Sequence, residues 1–402
     1  MRLKRDCQVL VTGAGPVGLF AALSLAERGI DVQIIDKEWR GSSHSYALAL
    51  HPEALRLLDA LGAAKELIEQ GRRVASLGFY VGDERVGALD LTGQDEAFPY
   101  LLVAPQSALE QALETHLKKR GVGIHWNHQT LSLKSDNDGV AAKVALMEKY
   151  TTGYPVTHTE WGIAKVIDVQ ADYVVGADGY HSIVRKGIGS RYEHLGPAET
   201  FTVFEFPCSK DPGTEARAVF REDSNNVLWP LDGGRSRWSF QIDPDSPPEA
   251  TLKTLNELVR TRAPWYGERI EEIYWNTLVM FERRLAEPFG QGRALLAGDS
   301  GHITGPVGAQ SMNVGIREAQ DLAERISGIL TDGKSPDLLK TYPTERTAEW
   351  RKLLDPGDAL QAHSGAPAWA RENAKRILPC IPASGAALGQ LLGQLGLELD
   401  QD

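Results

Sequence analysis

The chain opens with the hydrophobic pattern of a βαβ unit. Residues 7–12 form a short apolar run that ends in glycines, which predicts a buried parallel strand. A helix is predicted over about 16–28, because its apolar positions share one stripe and Gly29 suits a helix C-terminus. A second strand follows over 31–36. Strand, helix and strand in this order predict the start of a doubly wound α/β domain.

Two further helices and then a series of strands follow this opening. Helical spacing of apolar residues predicts helices over 52–61 and about 105–120. From 122 to 175 the pattern changes to strands, and Asp138-Gly139 between two of them is a hairpin signal. The segment 172–176 then predicts another buried parallel strand.

The second half of the chain has a β-rich stretch inserted into the α/β pattern. Strand-like segments dominate between about 190 and 285, with one helical stretch near 250–262. A buried strand at 293–297 and a long helix over about 312–330 then resume the first pattern. We therefore predict an α/β fold, in which a Rossmann-like domain is interrupted by an α+β domain built on an antiparallel sheet.

The predicted domain bounds follow from these changes of pattern. The Rossmann-like domain takes residues 1–188, including a β excursion near 75–105. The inserted domain takes 189–285. Residues 286–402 complete the first domain and add C-terminal helices.

Composition narrows the range of partners and compartments. The net charge is −11 and no run of Lys and Arg stands out, which argues against a nucleic-acid partner. Cys7, Cys208 and Cys380 are scattered and odd in number, so we expect neither a disulfide framework nor a metal site. No stretch resembles a membrane span or a signal peptide. A cytoplasmic location is the expectation that fits best.

The loop between the first predicted strand and helix reads Gly-Ala-Gly-Pro-Val-Gly over 13–18. In such a loop Gly13 would make the tight turn, Gly15 would let a pyrophosphate approach the backbone, and Gly18 would allow close helix–strand packing. Asp36, at the end of the next strand, is placed to accept hydrogen bonds from ribose hydroxyls. This setting predicts dinucleotide binding, and its alternative is a purely structural turn.

A second strand-to-turn-to-helix element lies far downstream. Its turn carries Gly298-Asp299 and leads through His302 to a loop and a helix that starts near Asn313. The short carboxylate of Asp299 could bind polyol hydroxyls such as those of a ribityl chain, and the helix N-terminus would favour negative charge on a reduced flavin. The alternative is an Asp that only caps a helix. A cofactor held at both ends favours FAD over NAD.

Three blocks of the chain, 9–19 with Asp36, 176–185 and 295–316, together carry a family resemblance. They resemble the p-hydroxybenzoate hydroxylase-like (group A) family of FAD-dependent aromatic monooxygenases. Weaker similarities lie in the segments 106–110, 230–241 and 342–346. The order of the blocks and their spread over nearly the whole chain make the resemblance more specific than any single motif.

The resemblance implies an FAD site assembled from distant parts of the chain. The glycine loop and Asp36 would hold the ADP half, Asp178 belongs to a fingerprint associated with FAD and NAD(P)H, and Asp299 would bind the ribityl chain. The implied cofactor-binding residues are Gly13, Gly15, Pro16, Val17, Gly18, Asp36, Lys37, Gln106, Thr130, Asp178, Gly298, Asp299, Pro306, Gly308, Ala309, Ser311, Met312 and Asn313.

The resemblance also implies a reaction. Such a flavoprotein uses NAD(P)H and O2 to hydroxylate or epoxidise an aromatic or polyketide-like small molecule through a flavin hydroperoxide. The protein would mainly exclude water and orient the substrate, so no catalytic acid or base is singled out. Two alternatives stay open: a flavin dehydrogenase or reductase that inserts no oxygen, and a catalytically degenerate FAD-binding protein. The substrate, the site of oxygenation, the choice between NADH and NADPH and the oligomeric state are open as well.

Several positions depart from the family pattern. Tyr46 and Glu53 stand where relatives commonly carry basic residues, which lowers the positive charge available to phosphates. Ala309 and Ser311 replace glycines of the flavin loop, and either would be strained if the backbone there requires a positive φ.

The substrate side of the site carries weaker signals. The aromatic residues of the inserted sheet are expected in its core rather than in a pocket, namely Phe204, Phe206, Trp229, Trp238 and Phe240. A face of that sheet turned toward the flavin would form an apolar pocket. We single out Trp229, Gln241 and Pro306 as candidate substrate-pocket residues.

Overall fold

The computed structural model describes residues 2–41, 49–152, 158–222, 224–305 and 307–400. Two of the positions singled out above, Tyr46 and Pro306, lie outside these ranges. Within them, no helix is long and apolar enough to cross a membrane.

Strands occur throughout the described chain. In chain order they are β1 Asp6–Thr12, β2 Val32–Ile35, β3 Ala49–Leu50, β4 Arg72–Val74, β5 Ser76–Val81, β6 Glu84–Asp90, β7 Leu101–Val103, β8 Ile124–His125, β9 His128–Ser135, β10 Val140–Thr152, β11 His158–Gly176, β12 Arg191–His194, β13 Glu199–Pro207, β14 Glu215–Arg221, β15 Ser224–Leu231, β16 Arg235–Ile242, β17 Trp275–Phe281, β18 Arg284–Glu287, β19 Gly290–Gln291, β20 Ala294–Leu296, β21 His302–Ile303, β22 Leu360–Ala362 and β23 Leu397–Leu399.

The α-helices are concentrated near the two ends of the chain. In chain order they are α1 Pro16–Glu27, α2 Pro52–Ala60, α3 Lys65–Gln70, α4 Gln106–Lys119, α5 Ile183–Gly187, α6 Leu252–Arg262, α7 Gln310–Leu330, α8 Tyr342–Leu354, α9 Ala368–Glu372, α10 Ala374–Ile377 and α11 Gly385–Gln394. The five predicted helices are confirmed as α1, α2, α4, α6 and α7. Helix α7 begins two residues earlier than predicted, at Gln310.

A mostly parallel sheet forms the centre of the fold. Its strands lie in the order β19-β20-β11-β1-β2-β8, and β10 and β9 extend it by antiparallel pairing on β11. Strand β1 pairs in parallel with β2 and with β11, and β20 pairs in parallel with β11 on its other side. The hairpin predicted at Asp138-Gly139 joins β9 to β10. The sheet confirms the predicted Rossmann-like, doubly wound architecture.

A second sheet has the order β17-β13-β16-β15-β14-β5-β6. Its neighbours are antiparallel except β14 and β5, which pair in parallel. Strands β5 and β6 come from the predicted β excursion and lie more than a hundred residues before the other strands of this sheet. Hydrophobic periodicity does not reveal such long-range pairing, because it reports only which residues are buried. The bounds 1–188, 189–285 and 286–402 stay predictions.

The two faces of the second sheet bury different residues. One face packs under α6 and carries the predicted aromatic core residues Phe204, Phe206, Trp238 and Phe240. The rings of Trp238 and Phe240 stack with their centroids 4.9 Å apart. The opposite face joins the main core of the molecule, where Trp229 and Phe79 are buried. Each fully buried aromatic side chain contributes about 2–3 kcal/mol, so both faces hold the sheet firmly in place.

Candidate functional site

The N-terminal glycine loop is held by close backbone contacts. Gly13 has φ +96°, and a Cβ there would lie 2.1 Å from the carbonyl oxygen of Ala177. A Cβ on Gly18 would lie 1.9 Å from the carbonyl oxygen of Gly13. A Cβ on Gly15, by contrast, would meet nothing within 4 Å. The loop is therefore closed at its two outer glycines and open at Gly15, where a ligand can approach the backbone.

Asp36 lies where β2 ends and faces this loop. Its Oδ2 accepts a hydrogen bond from the backbone N–H of Ala14 at 2.6 Å, and its Oδ1 accepts one from the N–H of Glu38 at 2.8 Å. The carboxylate thus ties the glycine loop to the end of β2. A half-buried carboxylate in this position can also accept from the hydroxyls of a ribose.

A groove of about 520 Å³ runs along these elements. It brings together six residues that the sequence predicted for one site: Gly13, Gly15, Asp36, Lys37, Thr130 and Asp178. The Oγ1 of Thr130 is buried and has no hydrogen-bond partner among the described residues. Gln106 begins α4, where its side chain donates to Glu110, and it is not among the described residues that line this groove.

Asp178 shapes the wall of the groove rather than reaching into it. Its carboxylate accepts hydrogen bonds from the hydroxyl of Ser182 at 2.5 Å and from the N–H of Ile183 at 2.7 Å. Burial raises the pKa of Asp178, although these bonds favour its charged form. The side chain of Arg185 then donates to the carbonyl oxygen of Ser300 at 2.8 Å. Asp178 and α5 therefore connect the groove to the second predicted cofactor segment.

The Gly298-Asp299 turn follows β20 and touches the first glycine loop. Gly298 has φ +63°, and a Cβ there would lie 2.9 Å from the side chain of Val17. Gly315 in α7 is equally close to Val17, because a Cβ there would be 2.7 Å away. Asp299 is exposed and accepts a hydrogen bond from the hydroxyl of Ser311 at 2.6 Å. The two segments predicted to bind opposite ends of one cofactor are thus direct neighbours.

The loop before α7 is held by a residue predicted to line the flavin. The Oδ1 of Asn313 accepts from the backbone N–H of His51 at 2.8 Å, and its Nδ2 donates to the carbonyl oxygens of Ala49 and Ala309. The ring of His51 contacts the carbonyl oxygen of Gly308 at 3.0 Å. Met312 is half-buried in the first turn of α7. Asn313 therefore fixes the backbone of this loop.

Ala309 and Ser311, the two residues expected to replace glycines in this loop, differ in backbone conformation. Ala309 has φ +51°, so this position does require the left-handed conformation that favours glycine. Ser311 lies in the first turn of α7 with helical backbone, so the condition for strain, a positive φ, is not met at this position. Its side chain bonds Asp299 instead.

A half-buried cation lies beside Glu53, where the family resemblance led us to expect less positive charge. Arg317 of α7 contacts the carboxylate of Glu53 at 3.3 Å and that of Glu349 at 2.8 Å. These two carboxylates raise the pKa of Arg317 although burial opposes the charge. Glu53 is therefore part of a charge-balanced cluster, and the cation comes from a helix more than 250 residues later in the chain.

The candidate substrate residues Trp229 and Gln241 lie on one face of the second sheet. Gln241 is paired with Phe201, whose neighbour two positions earlier on the same face is Glu199. The carboxylate of Glu199 lies 3.2 Å from the Cβ position of Gly305, just before the loop that precedes α7. This face, which also carries the buried pair Arg237–Glu205, therefore turns toward the second cofactor segment.

Sequence reasoning missed the buried carboxylate of Glu318. It accepts hydrogen bonds from the N–H of Gly298 at 2.8 Å, from His302 at 3.0 Å and from the indole of Trp350 at 2.7 Å. The signal was present in the sequence, because Glu318 lies four residues before Leu322 on the apolar stripe of α7.

The family model described as "FAD binding domain" matches residues 6–356. The chain belongs to this family, and the prediction of FAD as its cofactor is confirmed. It is similar to pentachlorophenol 4-monooxygenase of Sphingobium chlorophenolicum, with 27% identity over 367 residues that cover 88% of this chain and 64% of that protein. It is also similar to rifampicin monooxygenase of Streptomyces venezuelae, with 28% identity over 359 residues that cover 86% of this chain and 69% of that protein. The chain thus spans about two thirds of the length of these relatives.

The fold is shared with a solved structure as well. The crystal structure of p-nitrophenol 4-monooxygenase PnpA from Pseudomonas putida DLL-E4 matches with a TM-score of 0.75. The match covers 96% of this chain and 91% of that one, at 23% sequence identity. It shows a common fold.

The site fits FAD on its own geometry. The open position at Gly15 leaves room for a pyrophosphate against backbone amides, and the buried hydroxyl of Thr130 still has hydrogen bonds to make. The exposed carboxylate of Asp299 stands at the N-terminal end of α7. Gly15 and Thr130 line one groove, and the turn that carries Asp299 adjoins the glycine loop, because Gly298 packs on Val17.

Proposed function

We propose that this chain is an FAD-dependent monooxygenase that uses NAD(P)H and O2 to hydroxylate or epoxidise an aromatic or polyketide-like small molecule. One observation carries the proposal: the two cofactor segments touch at Val17 and Gly298, and the sheet face that carries Trp229 and Gln241 turns toward the second segment. The similarity to monooxygenases named for pentachlorophenol and rifampicin supports the substrate class.

The residues of the groove would bind the ADP half of FAD. The amides of the loop around Gly15 would hold the pyrophosphate at the N-terminus of α1, and Asp36 would accept from the adenosine ribose. Lys37 and Thr130 would lie at the adenine end, where β2 and β9 terminate the groove. The other predicted cofactor residues of this segment, Pro16, Val17 and Gly18, would support the loop.

The second segment would hold the flavin half. Asp299 would bind the ribityl hydroxyls, and the amides at the start of α7 would face the flavin pyrimidine edge. Gly308, Ala309, Ser311, Met312 and Asn313 would form the loop that supports the ring. FAD, when bound, supplies the redox chemistry that activates O2 and accepts electrons from NAD(P)H.

The protein's own task would be to position the substrate and exclude water. Trp229 and Gln241 would line the pocket on the sheet face opposite α6. Gln241 already bonds the N–H of Asn225 through its Oε1 at 2.8 Å, so its orientation is fixed before a substrate arrives. A preformed apolar wall with a few oriented polar groups is typical of small-molecule pockets.

The expected compartment and co-substrates belong to the same proposal. The free thiols of Cys7, Cys208 and Cys380 are consistent with a reducing cytoplasm. Burial raises the pKa of Cys7 to about 11 and that of Cys380 to about 12, which keeps both thiols unreactive.

The test combines cofactor binding with isotope labelling. The purified protein should bind FAD, oxidise NADH or NADPH faster when a suitable phenol or polyketide is present, and place oxygen-18 from labelled O2 into the product. Substrate-stimulated NAD(P)H oxidation without label in the product would instead support a flavin dehydrogenase or reductase. FAD binding without NAD(P)H oxidation would support the degenerate FAD-binding protein.

The assignment of Trp229 to the substrate pocket can be tested by a pair of substitutions. Trp229→Phe should raise the KM of the aromatic substrate more than it lowers kcat, because it changes the shape of the wall and leaves the cofactor loops intact. Trp265→Phe, whose ring packs on the opposite, α6 face of the same sheet, is the matched control. Equal effects of the two substitutions on KM would argue against Trp229 as a pocket residue.

A further inference from the structure

A buried polar cluster lies directly behind Asp299. Glu318 is fully buried, and its two carboxylate oxygens accept from Gly298, His302 and Trp350. Burial opposes ionisation of Glu318, but His302, Trp350 and the Gly298 N–H together lower its pKa. Glu318 is therefore an ionised acceptor that is fully satisfied by its neighbours.

His302 is held in a single orientation by this cluster. Its ring is stacked between Trp350, with centroids 3.7 Å apart, and Phe289, with centroids 6.0 Å apart. Its Nε2 faces the carboxylate of Glu318 at 3.0 Å, and the hydrogen-bond network therefore places a proton on Nε2. The other nitrogen, Nδ1, lies 3.4 Å from the hydroxyl of Ser311.

Ser311 connects this cluster to the exposed carboxylate. Its hydroxyl lies 2.6 Å from Oδ1 of Asp299, so its single proton is donated to Asp299, while the ring of His302 packs against the same oxygen, with Nδ1 3.4 Å away. The backbone of the same turn is held from the other side, because the N–H of Gly298 donates to Glu318. Asp299 is thus restrained through its side chain by Ser311 and through its backbone by Glu318.

We propose that Ser311, backed by the buried His302–Glu318 pair, is a positioning residue that holds the Asp299 carboxylate in its FAD-binding rotamer before the cofactor arrives. The inference rests on the proposed binding of the FAD ribityl chain by Asp299. An exposed carboxylate that is free to rotate must be ordered on binding, and a carboxylate already held by a hydrogen bond avoids most of that cost. Ser311, a departure from the family's glycine, would then strengthen the grip on the cofactor.

The position of Ser311 allows its effect on Asp299 to be tested without disturbing the fold. Its backbone is helical and its side chain is only half-buried, so alanine at this position preserves the helix. Its side chain donates a hydrogen bond to Asp299 and has a polar contact with His302 and with no other described side chain. Loss of the hydroxyl should therefore change the behaviour of Asp299 far more than the stability of the fold.

The experiment is an FAD titration of the apoprotein, followed by flavin fluorescence. Ser311→Ala should raise the dissociation constant of FAD about 3- to 10-fold, the range expected when one side chain must be newly ordered on binding. Ser311→Thr keeps the hydroxyl and should restore the wild-type value to within about twofold. Ser327→Ala, the same substitution further along α7, is the matched control and should leave FAD affinity unchanged.

A double-mutant cycle tests whether Ser311 acts through Asp299. In the Asp299→Ala background, Ser311→Ala should change the dissociation constant by less than about 1.5-fold, because the group that it positions is gone. An equal fold-change in both backgrounds would overturn the proposal. So would an unchanged FAD affinity in Ser311→Ala alone, or an equal loss in Ser311→Ala and Ser311→Thr.

The outcomes also separate this inference from the proposed function. If the wild-type apoprotein does not bind FAD, the proposed function fails and the positioning role fails with it. If wild-type protein binds FAD and inserts oxygen but the Ser311 variants bind equally well, only the positioning role is overturned. Melting temperatures of the apo variants within about 2 °C of wild type would exclude loss of folding as the cause.

Discussion

The two cofactor segments are built in different ways although they touch each other. The glycine loop at 13–18 is held by backbone against backbone, as the contacts of Gly13 and Gly18 show. The turn at 298–299 and the loop after it are held by buried polar side chains, chiefly Glu318 and Asn313. The backbone packing of the glycine loop leaves no room for a side chain at Gly13 or Gly18. The turn at 298–299 and the loop after it depend on side chains that lie outside the Gly-Asp motif itself.

This difference predicts that substitutions are tolerated better in the second segment than in the first. Backbone packing at Gly13 and Gly18 permits no Cβ, so the first loop requires glycine at these two positions. The second loop tolerates Ala309 and Ser311, because Asn313 and His51 fix its backbone from outside. A loop held by side chains can accept strain at one residue when its neighbours determine its conformation.

The largest predicted effect tests whether buried side chains hold the second cofactor segment. Glu318→Leu should lower the free energy of unfolding by about 4 kcal/mol, because His302, Trp350 and the Gly298 N–H would lose a shared buried acceptor. Urea denaturation measures this change. Glu324→Leu, an exposed position on the same helix, should cost less than about 1 kcal/mol. Similar losses for both variants would mean that the second segment does not depend on its buried carboxylate.

The next prediction contrasts two glycines of the first loop. Gly18→Ala should destabilise the apoprotein by about 3 kcal/mol, because its Cβ would overlap the carbonyl oxygen of Gly13. Gly15→Ala meets open space, so its stability should stay within about 1 kcal/mol of wild type while FAD affinity falls. Denaturation and FAD titration of both variants separate the two effects. Equal losses of stability would contradict the assignment of an open position at Gly15.

A pH-dependent prediction concerns His51, which supports the second loop. Burial lowers the pKa of His51 to about 4 in the folded chain, below its usual 6.5. Between these values the unfolded chain binds a proton that the folded chain does not, so stability falls as the pH falls from 6.5 toward 4. Between pH 7 and 5, wild type should lose about 2 kcal/mol more than His51→Gln.

Denaturation of both proteins at the two pH values measures this difference. His51→Gln can still donate to the carbonyl oxygen of Gly308 but cannot titrate in this range. His125, whose pKa is also lowered to about 4 by burial, is present in both proteins and cancels from the comparison. Parallel pH profiles for wild type and variant would show that His51 is not the source of the loss.

The smallest predicted effect concerns backbone strain in the second loop. Ala309→Gly should raise the free energy of unfolding by about 1 kcal/mol, because Ala309 adopts a positive φ that costs a residue with a Cβ. Asn127→Gly is the matched control, since Asn127 has φ +57° and asparagine tolerates this conformation better than alanine. Its gain should be smaller. A loss of stability in Ala309→Gly would show that flexibility of the loop outweighs strain.

Much of the fold could be predicted because its signals are local. The strands and helices around the glycine loop follow from hydrophobic periodicity, and five predicted helices are present. The pairing of β5 with β14 could not be predicted, since it joins segments more than a hundred residues apart. The charge balance at Glu53 was missed for the same reason, because Arg317 reaches it from a distant helix.

The amino-acid sequence was enough to indicate the class of protein and its cofactor, because the glycine loop with Asp36 and the distant Gly298-Asp299 turn follow strands in the order of the family that they resemble. It also identified the positions at which the chain departs from its family. Only the tertiary structure decided what those departures do. Ala309 bears strain and Ser311 makes a hydrogen bond, since the difference depends on which backbone and which side chains surround each residue. Such contacts are long-range, and periodicity along a chain carries no information about them.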